Sequence, residues 1–225
     1  MGPARPDTSR ARAAILARIR SQQHRQSEPV TVGQKKVDEY LEVRAVGPQP
    51  TVAADQVTHF ETQANRMASS TVRVAGMPAV PAAVAAYLRD NALPGAAACW
   101  NTLAGLDWAG AGLHVEPRAP TGDDLVGITG VFAAIAETGT LMLLSGPDTP
   151  ASMHLLPETH IAVLPASRIV AHYEDAFARI RQEHGSLPRA VNLVSGPSRT
   201  GDIEQTIVIG AHGPYRVHIV IVELV

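Results

Sequence analysis

Three features of the sequence predict an α/β fold with a mainly parallel sheet, helices on both faces and antiparallel hairpins. Segments of helical and strand-like periodicity alternate along much of the chain, a pattern that specifies parallel strands joined by crossover helices. In two places paired apolar runs leave no room for a helix between them, and these read as hairpins. Aromatic residues make up only 4% of a chain rich in Ala, Val, Gly and Pro, which suits thin layers of small side chains.

The elements follow in order. In "SRARAAILARIRSQQHR" the apolar Ile15, Leu16 and Ile19 share one side and arginines surround them, so a short amphipathic helix is expected. It serves as a docking arm, or it packs on its own domain or on a twin subunit in a homo-oligomer. From Ser27 to Pro50, Gly33, Gly47 and three prolines interrupt any long period, and a connecting segment of low order is expected. Residues 1–50 therefore read as an N-terminal helical arm and linker, and 51–225 as one α/β domain.

Within that domain "DQVTHFETQANRMASS" places Val57, Phe60, Ala64 and Met67 at helical spacing and feeds the strand "TVRVAG". "PAAVAAYLRDNALPG" is a second helix with Pro81 in its first turn, followed by the buried strand "AAACW". "DLVGITGVF" carries Gly127 and Gly130 and reads as a tight turn. "VFAAIAETGTLMLLSGP" reads as a hairpin, "HIAVLP" as a strand and "SRIVAHYEDAFARIRQEHG" as a helix. "AVNLVSG" is a further parallel strand, and "TIVIGAHGPYRVHIVIVELV" a closing hairpin that forms an antiparallel edge or flap.

Composition narrows the function. With 19 basic and 21 acidic residues the formal charge is -2, which removes a global electrostatic reason to bind nucleic acid. No apolar run approaches the roughly 20 residues of a membrane helix, so a cytoplasmic protein is expected. Cys99 is the single cysteine, so this chain alone cannot supply a disulfide, a CxxC pair or the thiolates of an iron–sulfur cluster. No dinucleotide or phosphate-loop fingerprint, HExxH or GxSxG appears, and His154 and His160, in a proline-bounded loop, lack zinc-ligand spacing.

Two stretches could carry chemistry. Glu137 lies between "AIA" and "TGT", where Thr138, Gly139 and Thr140 can surround a carboxylate with hydroxyl and amide donors. It reads either as a nucleophile or general base, or as a turn glutamate that caps a neighbouring element. The second stretch is "SGPSRTGDIEQT", directly after a strand. Ser195, Gly196, Ser198, Arg199 and Thr200 are suited to an anion, with Arg199 as a two-point fork. The alternative is an exposed loop in which Arg199 pairs with Asp202 or Glu204. Those two acids could also hold a hard cation. Glu137 and the "SGPSRT" loop are expected to line one pocket at the carboxyl ends of the sheet.

"GLDWAGAGL", "GITGVFAAIAETGTLMLLSGP", "HIAVLP", "VNLVSGPSRTGDIEQTIVIGAHGP" and "VHIVIVE" resemble the LUD-domain family in its LutC/YkgG branch, over roughly Leu106 to Glu223. The resemblance implies a fold similar to the NagB/RpiA/CoA-transferase superfamily. It also implies a role beside LutA-like and LutB-like iron–sulfur proteins in oxidising L-lactate to pyruvate, with the clusters on those partners and no cofactor on this chain. In related CoA transferases a glutamate in a Ser-Glu-Asn-Gly turn attacks a thioester. "AETGT" keeps the glutamate before a turn glycine, but alanine and threonine replace serine and asparagine. An accessory subunit that binds a small anionic ligand is the expected function. An independent isomerase or acyl-transfer enzyme using Glu137, or a structural assembly subunit, are the alternatives.

Overall fold

The computed structural model describes residues 8–22, 30–203 and 206–224. The chain divides into two compact units, Met1–Pro48 and Gln49–Val225.

The first unit holds helices α1 (Ser9–Gln22) and α2 (Val30–Val43). α1 is the expected amphipathic helix, and Ile15 and Ile19 on it are exposed. α2 corrects the expectation of a segment without order. Pro48 and Pro50 lie beyond its end, and Gly33 is a single penalty of about 1 kcal/mol rather than a stop. Gln34 donating to Asp38 at 2.8 Å and Lys35 facing Glu39 at 3.7 Å partly offset that penalty.

The second unit opens with α3 (Gln56–Arg66), whose N-terminus is capped by Asp55 accepting from the Thr58 amide at 3.1 Å. Then come β1 (Ser70–Gly76), α4 (Val80–Asp90), β2 (Ala96–Cys99), β3 (His114–Pro117), β4 (Val126–Gly130), β5 (Ala133–Ile135) and β6 (Thr140–Leu144). β7 (Thr159–Pro165), β8 (Ile169–Val170), α5 (Tyr173–His184), β9 (Val191–Val194), β10 (Arg199–Ile203), β11 (Thr206–Ile209) and β12 (Arg216–Leu224) complete it.

Six of these strands form a sheet in the order β1-β12-β7-β4-β2-β3, every neighbouring pair parallel. A second sheet, β8-β5-β6-β9, stacks on one face of the first. Alternation along the strands builds the layers. Val217, Ile219 and Ile221 of β12 point with Ala162 and Leu164 toward α3 and the small sheet. Val220 and Val222 point with Ile161 and Val163 toward α4. The outer face of the small sheet, Ala133, Ile135 and Met142, packs on Ala176 and Ile180 of α5. The layers therefore run helix, large sheet, helix with small sheet, helix.

Several expectations are corrected here. The chain does not close on a hairpin: β12 lies between β1 and β7 and runs parallel to both, while β11 pairs with β10 in a separate ribbon. The near-unbroken apolar run of β12 is the mark of a strand buried on both faces. β9 joins the small sheet antiparallel to β6 instead of extending the parallel one. The "DLVGITG" glycines belong to β4, where a Cβ on Gly127 would lie 2.4 Å from the Met153 carbonyl, so glycine serves close packing and not a turn. The helix predicted from Ser167 starts only at Tyr173, because Ile169 and Val170 pair with β5 first.

Candidate functional site

Glu137 occupies the turn of the β5–β6 hairpin and is almost wholly buried. Its Oε2 accepts a hydrogen bond from His172 Nδ1 at 2.9 Å, and its Oε1 accepts from the Tyr173 amide at 3.2 Å. Tyr173 begins α5, so the carboxylate sits on the helix N-terminus, where unsatisfied amides and the macrodipole favour negative charge. Asp175 adds a second anchor by accepting from the His172 amide at 3.1 Å.

Beside this pair lies a set of hydroxyls. Thr140 Oγ1 is 2.6 Å from Ser195 Oγ, 2.7 Å from Thr138 Oγ1 and 3.0 Å from the Tyr173 hydroxyl. The pairing register explains the meeting: Leu141 of β6 faces Val194 of β9, so the next residues outward, Thr140 and Ser195, are opposed. α3 closes the site from above. A Cβ on Gly139 would fall 2.2 Å from the Ala64 amide nitrogen, and one on Gly196 would fall 1.9 Å from the Met67 carbonyl oxygen.

The structure brings Ser195 against Thr140 beside the Glu137 turn, but neither Glu137 nor the "SGPSRT" loop lines a described cleft, so the pocket they were expected to share is not among those described. The sequence did not anticipate His172 and Tyr173, which the helix boundary at Tyr173 brings in. Arg199 donates through Nη2 to the Met67 carbonyl at 3.0 Å. Ser198 is tied into the start of the ribbon by its amide, which donates to the Pro214 carbonyl at 2.9 Å, and Thr200 pairs with Val208. The Asp202 and Glu204 pairing lies beyond description: Glu204 is outside the described residues, and so is the Asp202 side chain.

A sizeable cleft lies elsewhere, at the carboxyl ends of β2 and β4, where open α/β sheets place their ligands. Its volume is about 560 Å³. Trp100 and Gly130 form the floor, Phe132 and Leu144 the side of the small sheet, and Arg168 and His184 a polar corner. The Arg168 guanidinium lies 5.6 Å from the Phe132 ring centroid, and the His184 ring 5.4 Å from the same ring. Arg168 donates to both Glu183 oxygens through Nη1 alone, at 2.7 and 2.8 Å. Neither Glu137 nor Arg199 lines this cleft. Two smaller clefts, about 440 Å³ around Leu156 and His212 and about 280 Å³ around Arg118 and Asp148, do not include them either.

Behind the floor the core holds two histidines. His160, which belongs to β7 rather than to a loop, is wholly buried, with Nε2 2.8 Å from Thr129 Oγ1; His154 is 2% exposed. Burial pushes their pKa values down, to about 3 for His160 and about 4 for His154, so both are neutral at physiological pH. Among the described residues no group of three or more His, Cys, Asp and Glu side chains could hold a metal ion, and no helix is long and apolar enough to cross a membrane.

Comparison with known proteins agrees with this architecture. Residues 118–222 match the LUD domain. The chain is 41% identical over 100 residues to lactate utilization protein C of Shouchella clausii, the match covering 44% of each chain. It is 40% identical over 101 residues to lactate utilization protein C of Bacillus subtilis, covering 44% of this chain and 42% of that one. The matched segment thus spans under half the length of these curated relatives. The crystal structure of a DUF162 family protein from Deinococcus radiodurans superposes with a TM-score of 0.57 at 21% identity, covering 77% of this chain and all of that one, which supports the fold alone. Over residues 118–222 the chain is thus similar to the LUD domain, and over about 100 residues it is similar to proteins named lactate utilization protein C.

Proposed function

We propose that this chain serves lactate utilization as an accessory subunit of an iron–sulfur system that oxidises L-lactate to pyruvate, and that it binds an anionic ligand in the cleft above β2 and β4. The names of its relatives support the pathway. The observation that carries the binding role is Arg168, a guanidinium at the polar corner of a largely apolar cleft whose described lining contains no carboxylate. Its contact to Glu183 uses one nitrogen, which leaves Nε and Nη2 to meet an anion.

In this reading the oxidation of the lactate hydroxyl to a ketone releases two electrons and two protons. The electrons pass to clusters on LutA-like and LutB-like partners, since one cysteine cannot ligate a cluster here. The test is reconstitution. The purified chain should bring down the iron–sulfur partners, and L-lactate oxidation by the mixture should fall when Arg168 becomes Gln. Unchanged oxidation with and without the chain rejects the role.

A second reading rests on the 2.9 Å contact between Glu137 and His172 beside the hydroxyls of Thr138, Thr140, Tyr173 and Ser195. In it Glu137 acts in an independent isomerase or acyl-transfer enzyme, and Ser198, Arg199 and Thr200 form the anion subsite. Turnover by the isolated chain, lost in Glu137→Gln, would favour it.

A further inference from the structure

We infer that the cleft above β2 and β4 takes a ligand joining a flat aromatic or heteroaromatic ring to an anionic group, of mononucleotide size. The inference rests on the reading of that cleft as the binding site. Size is the first argument. At roughly 30 Å³ for each water-sized group, the six non-hydrogen atoms of a three-carbon hydroxy acid fill at most about 180 Å³. That is a third of the roughly 560 Å³ present. A space of this size matches sites for ligands several times larger.

The walls supply the second argument. Trp100, Phe132 and His184 turn ring surface or ring edge into one space, with Phe132 and His184 tilted at 52° to each other. Leu187 adds an apolar lip and is 57% exposed, an apolar group that no core contact accounts for. Rings of this kind hold an aromatic ligand by offset or edge contacts, worth more than area alone. The polar corner supplies the third. α5 ends at His184 and presents the negative end of its dipole there, which would favour a cation were the corner otherwise neutral. The Arg168 guanidinium offsets that preference, and no carboxylate is among the residues that line the cleft. Arg118, in the neighbouring small cleft, cannot serve in the same way. Its Nη1 and Nη2 are both taken by Asp124, at 2.7 and 2.8 Å, and its Nε by Glu116.

Gly130 makes the test clean. A Cβ there would stand 3.9 Å from Trp100 and 4.0 Å from Thr102, ordinary contact, so a larger side chain can enter the cleft without displacing backbone. Binding of adenosine monophosphate, flavin mononucleotide, inorganic phosphate and L-lactate to the full chain should be measured by titration calorimetry and by quenching of tryptophan fluorescence. At least one ring-bearing anion should bind at micromolar concentration, at least tenfold more tightly than phosphate or lactate. Arg168→Gln should weaken it tenfold or more, and Gly130→Leu should abolish it while circular dichroism shows the fold retained. Phosphate or lactate binding as tightly as the ring-bearing anions, with loss in Gly130→Leu, overturns the ligand class and keeps the cleft. No binding by any probe, together with full reconstituted lactate oxidation by Gly130→Leu, overturns the cleft itself.

Discussion

Replacing Gly139 with alanine should destabilise the second unit by about 2–5 kcal/mol, and the size follows from two separable costs. Gly139 has φ +68°, a conformation that costs an L-residue roughly 1–2 kcal/mol. Its added methyl would also fall 2.2 Å from Ala64 N, 2.5 Å from Gln63 C and 2.7 Å from Ala64 Cα. All three are backbone atoms of α3, so no rotamer relieves the clash and the helix must move. Forced overpacking of this kind costs about 1–3 kcal/mol, and moving α3 loosens Phe60, which is wholly buried. Two further glycines isolate the terms. Gly185 has φ +72° and nothing within 4 Å of its Cβ position, so Gly185→Ala should cost only the conformational part. Gly105 has neither feature, and Gly105→Ala should change stability by less than about 0.5 kcal/mol. Urea unfolding followed by circular dichroism gives the three values. At about 2–4 °C per kcal/mol for a unit of this size, Gly139→Ala should melt roughly 4–20 °C lower. If Gly139→Ala costs no more than Gly185→Ala, α3 does not bear on the turn that carries Glu137, and the packing argument fails.

Stability should also fall with acid. Burial holds His154 and His218 near pKa 4 and His160 near 3, against about 6.5 unfolded. The unfolded chain therefore binds protons that the folded one refuses, and stability is full above about pH 6.5 and lost as pH falls toward 4. At pH 5.5 the loss should be on the order of 1 kcal/mol per histidine, read as a lower urea midpoint at unchanged slope; a flat profile between pH 7 and 5 would refute it. Cys99 is 1% exposed and its thiol is pushed up to about 11, so thiol reagents at pH 8 should label it only after unfolding, and rapid native labelling would contradict that burial. Glu137→Gln should leave the fold intact and cost about 1–2 kcal/mol, through loss of a charged cap on α5. Equal stability of the two proteins in thermal melts would show that the cap is not doing this.

The alternation of helix and strand was readable because each layer requires it. The helix around Phe60 and Ala64, the strand "HIAVLP" and the hairpin around Glu137 stand where their periods put them. What the sequence could not reveal is which sheet a short strand joins. "AVNLV" has the same apolar character whether it extends a parallel sheet or pairs antiparallel with β6, and only the packing of the whole decides. The start of α5 was missed for a related reason: Ile169 and Val170 fit a helical face as well as a two-residue strand, though two adjacent β-branched residues after Pro165 favour extension. That missed boundary hid His172 and Tyr173 from the site around Glu137, and it placed Arg168 inside a helix instead of at the corner of a cleft.

The two candidate sites sit at opposite ends of the same elements, and this limits what Glu137 can do. Along the β5–β6 hairpin the turn and the cleft are separated by the three residues of β5, about 10 Å of strand. Along α5 the separation is larger: Glu137 caps the first turn, while His184, twelve residues along the helix, borders the cleft about 18 Å away. A carboxylate at that distance, with both oxygens already accepting hydrogen bonds, cannot touch a ligand held by Arg168. Any influence must pass through the order of α5, which weakens binding only as far as the helix frays. Glu137→Gln should therefore lower stability more than ligand affinity, and Arg168→Gln should do the reverse. The opposite pattern, with Glu137→Gln abolishing activity at unchanged stability, would move the chemistry from the cleft to the hydroxyl-lined turn.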